Sequence, residues 1–139
     1  MIEKYLFVRV GGAANTEADE ETGSTYYPFS AFRGACSGTA AVTGAVASDD
    51  NAVSLFFTPK GCVAGGGEDQ ANSNDVDVVV LACAQYGQKA VIDELLKQMV
   101  HVQDSKNEAI LKIFDGYAGN TGNDLTGVTG ATVLHAENA

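Results

Sequence analysis

The sequence predicts an α+β domain: a mostly antiparallel β-sheet, or a sandwich, of about six strands with one amphipathic helix packed on it. Short runs of β-branched and aromatic residues recur between glycine-rich turns, which is typical of strands. One stretch instead repeats apolar residues at spacings of three and four, the period of a helix. A length of 139 residues without an internal repeat or linker predicts a single domain spanning residues 1–139.

Strands are predicted over residues 4–10, 38–47, 52–58, 75–84, 108–114 and 126–135. The first strand alternates, so Leu6 and Val8 should share one face and Tyr5 and Phe7 the other. Strand 38–47 is the weakest, because its residues are small. Strand 75–84 is predicted to be central, because apolar residues on both sides suggest that its later half is covered on both faces.

The predicted helix runs from Gln88 to about His101. Its apolar residues form a broad stripe: Val91, Ile92, Leu95, Leu96, Met99 and Val100. The opposite face is polar, and Asp93 and Lys97 are spaced for a favourable ion pair. His101 falls in the last turn, where a positive imidazole would meet the negative end of the helix dipole.

The charge balance favours some classes of partner over others. The chain carries 18 acidic and 8 basic residues, a net charge of −10. A negative field repels phosphate groups and anionic headgroups, so we expect neither nucleic acid nor a membrane as a partner. A positive protein surface, or a shell that faces water, suits this charge better. The N-terminal residues lack the apolar core of a signal peptide, and we expect synthesis in the cytoplasm.

Metal ligation is not expected from the acidic residues or the cysteines. The three cysteines, Cys36, Cys62 and Cys83, lack the short spacings of a zinc site. They are predicted to be reduced thiols, and one disulfide with a remaining free cysteine is the alternative. Asp75 and Asp77 would share a strand face near Glu68 and Asp69, which we interpret as a solvated acidic edge. A weakly held divalent cation is the alternative there.

The segment Gly34–Gly38 is the sharpest catalytic candidate, because it matches Gly-x-Cys-x-Gly. A nucleophile elbow requires a helix after the motif, but a strand pattern follows here. His135 with Asp115 or Asp124 could formally complete a triad. We instead predict a glycine-rich turn and no enzymatic activity. The glycine-rich loops, including residues 65–74, lack a phosphate-binding signature, so no cofactor is expected.

The densest aromatic segment of the chain is residues 25–34. Its Pro28 forces the preceding residue toward extended geometry, so the segment is not the interior of a helix. One interpretation is a core plug beneath a loop. The other is a protein interface, because such residues are enriched at interface centres. The candidate interface residues are Tyr26, Tyr27, Phe29, Phe32 and Arg33.

The run Tyr27-Pro28-Phe29-Ser30-Ala31-Phe32-Arg33-Gly34 lies between an opening Lys-Tyr-Leu strand and a later Leu-Phe-Phe strand. A valine-rich strand and the helix follow. This layout, from Lys4 to about His101, resembles small virion structural proteins of marine bacteriophages, including cyanophages. The resemblance implies a capsid decoration or cement protein that binds the major capsid protein, as a homo-oligomer or in repeated copies. The glycine-rich loop and the segment Glu17–Glu21 depart from the compact pattern of such proteins.

Two other functions stay open at this stage. One is a phage tail-tube or head–tail subunit that forms rings. The other is a small cytosolic ligand-binding module, or an enzyme with an unrecognised site. A ring-forming subunit should self-associate when concentrated, whereas a ligand-binding module should be stabilised by its metabolite.

Overall fold

The computed structural model describes residues 3–12, 24–59, 75–117 and 124–136. These ranges contain nine strands and one α-helix. The strands are β1 (Tyr5–Gly12), β2 (Ser24–Pro28), β3 (Phe32–Ser37), β4 (Thr39–Ala40), β5 (Val46–Ala47), β6 (Ala52–Phe57), β7 (Asp77–Cys83), β8 (Ile110–Tyr117) and β9 (Val128–Leu134). The helix α1 (Gln88–Asp104) lies between β7 and β8, and a 3₁₀ turn (Phe29–Ala31) joins β2 to β3.

The strands form two principal sheets. Sheet 1 has the order β2-β1-β8, with β1 antiparallel to β2 and parallel to β8. Sheet 2 has the order β3-β6-β7-β9 and is antiparallel throughout. β4 and β5 form a small separate hairpin. The predicted α+β class with mostly antiparallel sheet is therefore confirmed. The parallel β1–β8 pair is the exception.

More strands form than the six that the sequence suggested. The weak strand predicted at 38–47 is divided into β4 and β5, because a turn separates two segments of two residues each. The aromatic segment adds β2 and part of β3, which were not assigned to strands. Pro28 ends β2 in extended geometry, as expected for this segment, and the 3₁₀ turn then redirects the chain.

The larger of two buried apolar clusters joins the inner faces of both sheets to one side of α1. Its largest fully buried members include Leu6 and Leu111 of sheet 1, Leu55 and Phe57 of sheet 2, and Leu95 of the helix. The predicted alternation in β1 is present, since alternate residues of that strand point into the cluster. Burying this apolar area is the main stabilising contribution to the fold.

The central position of β7 is confirmed, because the strand lies between β6 and β9. The half that is covered on both faces was predicted wrongly. Val78 and Val79 at its beginning are both buried, whereas Ala82 near its end is exposed. The reason is the β4–β5 hairpin: Ala40 packs with Val76 and Val78 and covers only the start of the strand.

Helix α1 continues to Asp104, a little beyond the predicted end. Its buried side is narrower than the apolar stripe indicated, because Val91, Leu95 and Val102 are buried while Leu96 and Val100 are exposed. The neighbouring strands therefore cover only one side of the stripe. No helix within the described ranges is both long and apolar enough to cross a membrane.

The ion pair predicted on α1 was assigned to the wrong lysine. Asp93 pairs with Lys89, one turn before it, with Nζ and Oδ2 2.6 Å apart. Both side chains are exposed, so the pair stabilises the helix only slightly.

Candidate interaction surface and a buried polar cluster

The five predicted interface residues are distributed between the core and the surface. Tyr27 is fully buried, Phe29 and Phe32 are half-buried, and Tyr26 and Arg33 are exposed. They do not form one continuous exposed patch, because the buried Tyr27 and the two half-buried phenylalanines lie between Tyr26 and Arg33 in the chain.

The buried part of the aromatic segment packs on Phe57 of β6. The ring of Tyr27 stacks on Phe57 with centroids 4.1 Å apart. The ring of Phe32 contacts the same residue at a tilt, with centroids 5.6 Å apart. Both rings therefore contribute to the core, as the core-plug interpretation proposed.

Tyr26 points away from the core and belongs to another surface, the outer face of sheet 1. We define this face by Tyr5, Phe7, Tyr26, Pro28 and Ile110. Tyr26 lies directly opposite Phe7 with ring centroids 4.7 Å apart. Tyr5 lies beside Pro28 on one neighbouring strand and Ile110 on the other. Adjacent residues in such a register point to the same side of a sheet.

The outer face of sheet 1 is apolar and partly open to solvent. Tyr5 is 39% exposed, and Tyr26 and Ile110 are each 48% exposed. Phe7 in the middle is buried beneath Tyr26. Three hydrogen-bonded strands carry these side chains, so the backbone beneath them is rigid.

Two cationic residues, Arg9 and Lys112, lie on the strands that carry this face. The guanidinium of Arg9 binds Asp115 through two contacts, Nε to Oδ1 at 3.1 Å and Nη2 to Oδ2 at 3.2 Å. It also lies over the ring of Phe7, with Cζ 5.7 Å from the centroid. The ammonium of Lys112 is 3.9 Å from the same carboxylate. The carboxylate of Asp115 therefore neutralises part of the positive charge of Arg9 and Lys112 beside the face.

Sequence reasoning missed Tyr5 and Ile110 as surface candidates. The alternation in β1 did place Tyr5 opposite the core residues. However, the contribution of Ile110 depends on the parallel pairing of β1 with β8, and strands so distant in sequence carry no local signal of their pairing.

A buried polar cluster connects the two sheets. The hydroxyl of Tyr27 donates to Oδ2 of Asp77 at 2.6 Å, and Nδ1 of His135 lies 3.1 Å from the same oxygen. The backbone N–H of Ala136 donates to Oδ1 of Asp77 at 2.8 Å. If Nδ1 of His135 carries its hydrogen, the carboxylate accepts all three contacts. Asp77 therefore ties β2 and the residues after β9 to β7.

This cluster corrects the interpretation of Asp75 and Asp77 as a solvated edge, since both side chains are buried. Donors from distant parts of the chain compensate the buried charge of Asp77, which the local sequence could not indicate. Glu68 and Asp69 lie outside the described residues.

The geometry of the Gly34–Gly38 segment differs from that of a nucleophile elbow. β3 runs through Cys36, which lies opposite Ser54 of β6, and the chain continues into β4. Burial raises the pKa of the Cys36 thiol, which favours the less nucleophilic protonated form. His135 contacts Asp77, and Asp115 binds Arg9.

Within the described ranges, no group of three or more histidine, cysteine or acidic side chains is placed to hold a metal ion. Cys36 and Cys83 are free thiols, and Cys62 lies outside the described residues. Comparisons with known protein families, curated proteins and solved structures find no match for this chain.

Proposed function

We propose that this chain is a non-enzymatic virion structural protein that attaches to a protein shell through the outer face of sheet 1. The specific role is that of a capsid decoration protein bound to the major capsid protein. The observation that carries the proposal is the exposure of Tyr5, Tyr26 and Ile110 side by side on three paired strands. The layout of the sequence, which resembles small phage virion proteins, supplies the class of assembly.

The composition of the outer face supports binding to protein. Tyrosine buries a large area when it binds, yet loses little conformational entropy because its side chain has few rotatable bonds. The strand backbone already holds Tyr5 and Tyr26 in position, so less freedom is lost on association. Large exposed apolar side chains that are grouped in this way commonly mark an interaction site.

The charges indicate the chemistry of the partner. The chain has a net charge of −10, and Arg9 and Lys112 already contact the buried Asp115. Glu3 and Glu108, close in sequence to Tyr5 and Ile110, are exposed. A partner with an apolar centre and a cationic rim complements this arrangement.

Shells assembled from the major capsid protein of the same phage provide the test. We expect the wild-type protein to bind these shells and Ile110→Ser to bind at least about tenfold more weakly, as for an interface hot spot. Leu96→Ser is the matched control, because Leu96 is 46% exposed on α1 and lies outside the outer face. Circular dichroism and thermal unfolding check that both variants are folded.

Two results would contradict the proposal. If Ile110→Ser and Leu96→Ser weakened binding to the shells equally, the outer face would be ruled out as the contact surface. Absence of wild-type binding to shells would remove the decoration role. If the protein instead forms rings or tubes when concentrated alone, as sedimentation and electron microscopy would reveal, the tail-tube or head–tail function replaces it.

A further inference from the structure

The turn between β7 and α1 holds a tyrosine in an unfavourable backbone conformation. Tyr86 has φ of +61°, and among the described residues it is the only non-glycine residue with a positive φ. A left-handed conformation is disfavoured for bulky L-residues and is normally occupied by glycine or asparagine. The side chain of Tyr86 is nevertheless 77% exposed. Burial of the ring therefore does not compensate for the strain.

The turn is held rigidly by the segment before β6. The backbone N–H of Tyr86 donates to the carbonyl of Asp50 at 2.8 Å. The side-chain amide of Gln85 donates to the carboxylate of Asp50, also at 2.8 Å. Within the turn, the N–H of Gly87 donates to the carbonyl of Ala84 at 2.9 Å. Tyr86 is thus presented to solvent from a fixed backbone.

An apolar hollow of about 290 Å³ lies beside this turn. Ala84 and Gly87, close to Tyr86 on either side, both line it, together with Ala90 and Val91 of α1. Gly127 also lines the hollow, and an added Cβ there would lie 3.2 Å from Cγ2 of Val91, so this part of the wall has no room for a larger residue. Ala84, Gly87 and Ala90 carry at most a methyl group, so they leave space in the hollow for a side chain from a partner.

The charges around the hollow are predominantly negative. Asp49 and Asp50 lie in the segment that supports the turn, and Glu94 lines the hollow while accepting from the backbone N–H of Thr126 at 2.8 Å. Lys89 is the nearest cation in sequence, and it is paired with Asp93. A cationic group on a partner would be attracted to this region.

We propose that the Tyr86 corner, defined as residues 84–87 with the adjoining hollow, is a second protein-docking site. The hollow receives an apolar side chain of a partner protein, cationic residues of that partner face Asp49 and Asp50, and the exposed ring of Tyr86 packs on the partner beside the hollow. The strained turn is retained because it holds the aromatic ring ready for this contact.

This site is separate from the outer face of sheet 1. The Tyr86 corner adjoins the start of α1, whereas Lys4, next to Tyr5, donates to the carbonyl of Ser105 just beyond its end. A helix of 17 residues is about 25 Å long. The two surfaces can therefore be tested independently, and failure of one leaves the other intact.

Titration of the isotope-labelled protein with capped Arg-Leu-Arg and Glu-Leu-Glu peptides tests the site by NMR. We expect Arg-Leu-Arg to produce saturable shifts of the Ala84, Gly87 and Ala90 amides at millimolar concentrations, and Glu-Leu-Glu to produce none. Tyr86→Asn should weaken the binding of Arg-Leu-Arg at least about fivefold, since the contacts of the aromatic ring with the peptide are lost. Tyr86→Phe keeps the ring and should bind this peptide as the wild type does. Shifts spread evenly over the acidic surface, or no saturable shifts, would overturn the proposal.

The strain provides a second measurement that needs no ligand. Because asparagine tolerates the left-handed conformation, Tyr86→Asn should raise the melting temperature by about 2–5 °C. Tyr86→Phe, which keeps both strain and ring, should leave it unchanged. An unchanged or lower melting temperature for Tyr86→Asn would mean that no strain is held for binding, and it would contradict the proposal.

Discussion

Asp77 illustrates how a single residue can join distant parts of the chain. Its buried carboxylate accepts hydrogen bonds from Tyr27 of β2 and from the backbone of Ala136 after β9. A buried acidic group is tolerated only when its charge is compensated by donors. The residue is therefore expected to stabilise the packing of sheet 1 on sheet 2.

Replacing Asp77 with asparagine should lower the free energy of unfolding by roughly 2–4 kcal/mol. The amide keeps the shape of the side chain but removes the negative charge that accepts from Tyr27 and from the backbone of Ala136. With the hydrogen of His135 on Nδ1, it also places an NH₂ group against that donor. Urea unfolding monitored by circular dichroism measures the change. Asp93→Asn, which alters an exposed carboxylate on α1, is the control and should change stability by less than about 0.5 kcal/mol. Equal stability of Asp77→Asn and the wild type would refute a stabilising role for the cluster.

The ionisation of Cys83 is expected to make the stability of the fold depend on pH in the alkaline range. Burial, and secondly the negative charge of Asp49, raise the pKa of this thiol above its ordinary value of 9.0. Between the unfolded and folded pKa values the native state binds more protons, so stability falls as the pH rises above about 9. Cys83→Ala should lose less stability than the wild type between pH 8 and pH 10 in thermal unfolding. An identical pH dependence in both proteins would contradict this assignment.

At the scale of elements, α1 is fixed at its C-terminal end by a residue from the start of the chain. The ammonium of Lys4 is buried and donates to the carbonyls of Ser105 and Glu108. Carbonyl groups at a helix C-terminus lack partners within the helix and carry partial negative charge, so a cation there is favourable. The contact also brings the N-terminus of β1 next to the segment that leads into β8.

Lys4→Met should lower the free energy of unfolding by about 1–2 kcal/mol, because the methionine fills the space but cannot donate to the carbonyls. Hydrogen exchange should become faster at the amides of Val102 and Ser105, since the last turn of α1 loses its support. Lys89→Met changes an exposed lysine on the same helix and is the control. If exchange in the last turn were the same in both variants, Lys4 would not be the group that holds this end.

The sequence predicted the elements best where the signal is local. The predicted ends of the helix and of the longer strands lie within a few residues of those observed. Apolar periodicity and glycine-rich turns, which are local features of the sequence, determine where these elements begin and end. It failed where burial depends on a distant element. Leu96 and Val100 belong to an apolar stripe, yet both are exposed, because the strands within the described ranges do not cover them. Asp77 sits in a valine-rich strand, yet its donors come from elsewhere.

At the scale of the whole molecule, the aromatic segment shows why the candidate site could be predicted only in part. Its composition drew attention to a dense group of aromatic residues, but composition cannot separate the side chains that face the core from those that face solvent. The alternation of side chains along β2 places Tyr27 in the core and leaves Tyr26 exposed to solvent. Tyr5 and Ile110 then extend the outer surface across strands far apart in sequence.

The parallel pairing of β1 with β8 also determines when the outer face of sheet 1 can form. Tyr5 lies beside Ile110, although more than a hundred residues separate them in the chain. Contacts of such long range are slow to form, and during synthesis they must wait until the later strand has left the ribosome. The outer face of sheet 1 therefore forms only when most of the chain has been made. A nascent chain, or one truncated before β8, would lack this face.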